Sequence, residues 1–151
     1  MAPHAGATLR LAIGGLLLAA AQPAYPVEFR SVGPAAAILY DAPSLKAHRL
    51  YLLNQGYPVE IVVALEGWYK VRDAAGGLAW MEAKDLTSRR MVLIKVPRAD
   101  VHKAPDENAP VAFRADQDVL LEVLETRDNW AHVKHSDGDT GYVRITQVWG
   151  L

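Results

Sequence analysis

The chain has no cysteine. That excludes disulfides, catalytic thiols, zinc–thiolate sites and the lipidated cysteine that tethers a bacterial lipoprotein, so its fold must hold by packing alone. It also lacks a basic excess: 16 Lys and Arg stand against 17 Asp and Glu, for a formal net charge of -1. A surface so balanced has little to neutralise a phosphate backbone, which argues against nucleic acid as a partner. Nor is there a bilayer-spanning apolar run. The longest, Leu11 to Ala20, has ten residues, against the roughly 20 that a membrane helix needs. Arg10 before it and the small-x-small pair Ala19 and Ala21 after it make residues 1–21 a signal peptide, removed on export to the periplasm or beyond. The mature chain then carries 15 basic and 17 acidic groups and a net charge of -2.

What remains is rich enough to fold. Hydrophobic residues make up 51% and there are 4 Trp, 6 Tyr and 2 Phe, a composition of globular rather than disordered chains. The chain also repeats itself. Trp68 and Trp130 sit 62 positions apart, and the same offset carries Ala42-Pro43 onto Ala104-Pro105, Glu60 onto Glu122, Val71 onto Val133, Gly76 onto Gly138, Trp80 onto Tyr142 and Leu86 onto Val148. One register without a gap implies two copies, Glu28 to Arg90 and Met91 to Leu151.

Each copy is predicted to be β-rich. In the first, Val59 to Leu65 is a β-branched run, Trp68 to Arg72 alternates, and Leu78 to Met81 is a third strand; in the second, Val119 to Leu124, Trp130 to Lys134 and Thr140 to Val143 follow in the same order. Asp73 to Gly77 and His135 to Asp139 are hairpin loops, with Gly76 and Gly138 able to take positive φ. A single helical turn and a last small strand complete each unit, giving five short strands in a closed or nearly closed barrel, which leaves few exposed edges. Residues 87–96 lack a flexible spacer and run into the apolar Met91-Val92-Leu93-Ile94, which reads as a strand. The fold class is therefore all-β, two small barrels in tandem, docked rigidly. A unit of this size buries only about 60% of its unfolded surface, so mutual packing helps both.

Gly56-Tyr57-Pro58-Val59-Glu60-Ile61, Gly67-Trp68-Tyr69-Lys70-Val71-Arg72-Asp73 and Leu78-Ala79-Trp80-Met81 resemble the bacterial SH3-like domain family of exported proteins. Asp128-Asn129-Trp130-Ala131-His132-Val133, Asp137 to Val143 and Val148-Trp149-Gly150 are similar to the second barrel of the two-barrel members. The resemblance implies an SH3-like fold, secretion, and a binding role toward peptidoglycan or wall-linked partners. One departure stands out: the family's Asn-x-Arg and Gly-Pro turn in the first strand are absent from both Ala37 to Pro43 and Ala99 to Pro105.

Candidate binding residues are Tyr40, Trp68, Trp80, Trp130 and Tyr142. A Trp opening a central strand either fills the core or serves as a stacking platform. Alternation places Trp68 with Lys70 and Arg72, and Trp130 with His132 and Lys134, on the face opposite Val71 and Val133; that polar company predicts at least partial exposure of both. Tyr40 and Trp80 would border the same groove. Ala37 to Asp41 is a weak match to the Ala-Leu-Tyr-Asp of proline-reading SH3 domains, but neither copy has their late Pro-x-x-Tyr. His132 and His135 point to opposite faces of a strand and have no third ligand at zinc spacing. Asp137 and Asp139 suit a turn and lack a calcium-loop pattern. No nucleophile–base arrangement is recognisable, and Arg89-Arg90 suits a solvated junction. The expectation is a non-enzymatic exported module, without cofactor or metal, that binds a cell-wall peptide or glycan or an envelope protein. The alternative is a scaffolding protein that self-associates through its barrels.

Overall fold

The computed structural model describes residues 26–151; the leader expected over residues 1–21 lies outside the described residues. The first repeat contains β1 (Glu28–Val32), β2 (Ala37–Tyr40), β3 (Arg49–Leu53), β4 (Pro58–Leu65), β5 (Trp68–Arg72), β6 (Leu78–Glu82) and, after one 3-10 turn at Ala83–Asp85, β7 (Leu86–Thr87). The second contains β8 (Met91–Ile94), β9 (Arg98–His102), β10 (Val111–Asp116), β11 (Leu120–Arg127), β12 (Trp130–Lys134), β13 (Thr140–Arg144), a 3-10 turn at Ile145–Gln147 and β14 (Val148–Trp149). Each repeat forms one antiparallel sheet, in the order β3-β2-β6-β5-β4-β1-β7 and β10-β9-β13-β12-β11-β8-β14.

The offset of 62 holds at the level of hydrogen bonds. β4, β5, β6, the 3-10 turn and β7 map onto β11, β12, β13, the second turn and β14 residue for residue. Even the irregularities repeat. The β4–β5 register slips between Ile61 and Val63, and the β11–β12 register between Val123 and Glu125. There are seven strands per sheet where the pattern predicts five. The additional ones are β1, β3 and β10, since the run Met91 to Ile94 that forms β8 already reads as a strand; four of the five β3 residues are exposed, so no buried alternation marks it in sequence.

Each sheet curls around its own core. Leu39, Val59, Val71, Ala79 and Met81 fill the first; Val92, Ile94, Val101, Leu121, Val133 and Val143 fill the second. These side chains alternate along their strands with residues that face outward, which is the period-two consequence of the pleat. The predicted loop glycines behave as expected: Gly76 has φ 89° and Gly138 has φ 103°.

The barrels are docked. Only residues 88–90 separate β7 from β8. The Phe29 and Trp149 rings meet edge to face at 5.0 Å. Gly150, at φ 117°, lies so close to both barrels that an added Cβ would stand 2.6 Å from the Met91 carbonyl oxygen and 2.9 Å from Pro58 Cβ. Only glycine satisfies that conformation and that spacing together.

Candidate functional site

The five aromatic residues singled out by the sequence gather at the same place on each barrel. In the first, the cross-strand register sets Tyr40 opposite Trp80 and Trp80 opposite Lys70, while Trp68 faces Glu82. Tyr40 and Trp68 meet edge to face, centroids 5.5 Å apart and planes at 81°, the geometry favoured by the aromatic quadrupole. Tyr40 is buried beneath; Trp68 and Trp80 are half-buried and reach the surface.

The second barrel builds the same arrangement from other residues. His102 takes the place of Tyr40 and lies edge to face with Trp130 at 5.8 Å and 87°. Its Nδ1 lies 2.9 Å from the Ala109 carbonyl oxygen, which fixes the ring. His102 is opposite Tyr142, which is opposite His132, and the Tyr142 and His132 rings stack at 4.4 Å. Arg144 replaces Glu82 opposite Trp130. Its guanidinium lies over the Trp130 ring, 4.3 Å from the centroid, and donates to Glu107 Oε1 from Nε at 3.0 Å and Nη2 at 2.6 Å. A cavity of about 490 Å³ opens here, lined by Arg98, Asp100, His102, Glu107, Trp130, Arg144 and Gln147.

Trp130 corrects the sequence expectation. Its polar neighbours along the strand predict at least partial exposure, whereas only 7% of it is exposed. The alternation along β12 is as predicted, but the Arg144 guanidinium, held in place by Glu107, covers the outer face of the ring. Among the described residues Trp68 has no such cover. Its opposite number, Glu82, turns instead to Lys84 at 3.0 Å, and Leu45 stands where the second barrel has Glu107.

The family model for the bacterial SH3 domain matches twice, over residues 33–87 and 95–150. The chain belongs to the bacterial SH3 domain family. No curated protein matches it. Among solved structures it is similar to NlpC1 and NlpC2 from Trichomonas vaginalis, at 17% and 16% identity and TM-scores of 0.40 and 0.39, covering 90% and 82% of this chain and 50% and 48% of those. It is also similar to an NlpC/P60 family protein from Bacillus cereus, at 16% identity and a TM-score of 0.38, covering 81% of this chain and 56% of that one. The chain spans about half the length of these proteins.

Other residues weighed from sequence are dispersed over the second SH3 domain and the junction. His132 is taken up in the stack with Tyr142, whereas His135 pairs with Asp137 at 2.9 Å. Asp137 accepts from the Asp139 amide, a turn bond that holds its carboxyl below the usual range. Arg89 reaches across the junction to Glu122, at 3.1 and 2.8 Å. The counterpart of Glu122, Glu60, stays within the first SH3 domain, bonded to Arg72 at 2.9 Å. Among the described residues no three His, Asp or Glu converge on a metal position, and no helix is long and apolar enough to cross a membrane.

The residues missed from sequence are His102, Glu107 and Arg144. The offset itself points from Tyr40 to His102 and from Glu82 to Arg144. Glu107 carries no such signal, because it acts through a contact 37 residues away.

Proposed function

We propose that the chain is a non-enzymatic exported binding module whose two aromatic platforms recognise a cell-wall glycan or peptide or a wall-associated protein. The supporting observation is the same three-residue platform built twice, Tyr40, Trp68 and Trp80 in one SH3 domain and His102, Trp130 and Tyr142 in the other, with half-buried rings at the surface of each. Half-buried aromatics on a rigid sheet are suited to stacking against sugar faces and peptide planes, because their apolar area is available at little entropy cost. The charged groups beside them, Lys70 and Glu82 in one and Arg98, Asp100, Glu107 and Arg144 in the other, supply hydrogen-bond donors and acceptors to orient a polar ligand. The signal peptide expected over residues 1–21 supports a periplasmic or secreted location for such a module.

Sedimentation with purified sacculi tests this reading. The wild-type chain is expected in the pellet, and the double variant Trp68→Ala with Tyr142→Ala in the supernatant. If the wild-type chain stays in solution, or the folded double variant pellets equally well, the platform reading is wrong.

A further inference from the structure

A cavity of about 640 Å³ lies apart from both aromatic platforms, at the junction between the SH3 domains. The first domain contributes Gln55 and Gly56 to it, and the second Val119, Leu120 and Ser136. Met91 and Leu120 give it an apolar wall. A Cβ added at Gly56 would stand 3.5 Å from Met91 Cε and 3.7 Å from Leu120 Cδ1. Lys134 and Asp118, both exposed, also line it, and neither forms an ion pair among the described residues.

The first SH3 domain carries the same backbone around the equivalent position and fills it with its own side chain. There the Tyr57 amide donates to the Asn54 carbonyl at 3.1 Å and the Val32 amide to the Tyr57 carbonyl at 3.0 Å. In the second domain the Val119 amide donates to the Asp116 carbonyl at 3.2 Å and the Ile94 amide to the Val119 carbonyl at 3.0 Å. The neighbouring hairpin loops close alike, from the Gly76 amide to the Asp73 carbonyl and from the Gly138 amide to the His135 carbonyl, each at 3.0 Å. With the backbone repeated in this way, Tyr57 and Val119 leave the chain in the same direction, and both pack against the core of their own domain. The Tyr57 ring continues to the hairpin, where its hydroxyl oxygen accepts from the Ala74 amide at 3.2 Å. Val119 is shorter by that whole ring. Ser136, the counterpart of Ala74, donates from its amide to no protein group among the described residues. Ala74 is half-buried under the tyrosine and Ser136 is exposed. Val119 and Ser136 both line the cavity.

We infer that this cavity binds a tyrosine side chain presented by a partner polypeptide, its ring seated where Tyr57 lies in the first domain and its hydroxyl oxygen accepting from the Ser136 amide. The repeat itself supplies the template for the ligand, since one domain contains the ring that the other would receive. A phenol ring buries its apolar body against Met91, Leu120 and Val119 and carries a single polar atom at the far end, where the amide stands. The cavity falls within the about 300–1,000 Å³ of pockets that hold a small ligand, and one ring fills only part of it. The residues flanking the tyrosine therefore enter as well. Lys134 and Asp118 supply a donor and an acceptor for their backbone carbonyl and amide groups. The inference is independent of the wall-binding reading, because no residue of either aromatic platform lines this cavity.

Titration of the isotope-labelled chain with N-acetyltyrosinamide, followed by amide NMR shifts, tests it. The expected result is a saturable shift of the Ser136 amide, with N-acetylphenylalaninamide binding about three- to tenfold more weakly for want of one hydrogen bond. Val119→Tyr should fold, because it copies Tyr57 on the same backbone, and should weaken binding of N-acetyltyrosinamide at least several-fold by occupying the site from within. No saturable shift at Ser136, equal affinity for the two probes, or undiminished binding to the folded Val119→Tyr variant overturns the inference. Ser136→Pro tests the bond separately. Ser136 is the second residue of the turn closed by Gly138 and His135, a position that proline favours, so the variant removes the amide donor and keeps the loop. It should bind both probes equally; a preference for tyrosine that persists in this variant overturns the assigned bond.

Discussion

The two SH3 domains share a skeleton down to its irregularities and differ in what they show to water. Both slip register at equivalent points in the β4–β5 and β11–β12 ladders, and both make the same turn with Gly56 at φ 81° and with Asp118 at φ 68°. Outside, the first domain presents apolar side chains and an uncovered Trp68, whereas the second presents ion pairs, Arg98–Asp116, Arg114–Asp100 and Arg144–Glu107, the last of which roofs Trp130. Backbone geometry is thus set by the buried alternate residues and the turn positions. The outward positions were free to diverge, and it is there that the two domains differ in surface chemistry.

Substitutions at paired positions can break or sharpen this contrast. The largest difference is expected at the two tryptophans. Trp130→Ala empties a buried site and should cost about 3–5 kcal/mol in chemical denaturation, while half-buried Trp68→Ala should cost distinctly less. Equal losses would mean that the Arg144 roof does not matter. Next is the position where the first domain has Ala79 and the second Gly141. An added Cβ at Gly141 would stand 2.7 Å from the His102 carbonyl oxygen and from Val101 Cγ1. Gly141→Ala should therefore destabilise by about 1–3 kcal/mol through overpacking, whereas Ala79→Gly costs about 0.5–1 kcal/mol through backbone entropy.

A smaller effect is expected from Arg144→Ala, which removes a cation–π contact and a partly exposed ion pair worth together about 1 kcal/mol. Its clearer signature is a red shift of tryptophan emission as Trp130 meets water; Glu82→Ala should produce none. Smallest is the acid response of the junction. The Arg89 guanidinium bonded to Glu122 holds its carboxyl below the usual range. A depressed carboxylate stabilises the folded state above its unfolded pKa and loses that contribution as pH falls through its folded value. Because Arg89 is largely exposed, the loss should be a fraction of a kcal/mol and vanish in high salt. Arg89→Gln should flatten the acid limb of the stability curve at low salt.

Much of the fold was legible in the sequence because the repeat has no insertions. A single offset relating Trp68 to Trp130 and Gly76 to Gly138 carries the strands, the hairpin loops and the 3-10 turns with it. Trp68 to Arg72 and Trp130 to Lys134 are strands with those bounds. β3 was not legible, since its exposed leucines imitate a buried run without alternating. For the candidate site, the aromatic positions were visible but their exposure was not. Local alternation gives the face on which Trp130 lies; whether that face is wet depends on Arg144 across the sheet and Glu107 in a distant loop, and no local pattern encodes that contact.

The central claim is that the aromatic platforms are the binding surface. Hydrogen exchange of the chain with and without soluble muropeptide fragments tests it most directly. The expected result is slowed exchange over β5 and β6 at Trp68 to Glu82 and over β12 and β13 at Trp130 to Arg144. Protection confined to β3 or to the junction around Arg89, or none at saturating fragment, would contradict it.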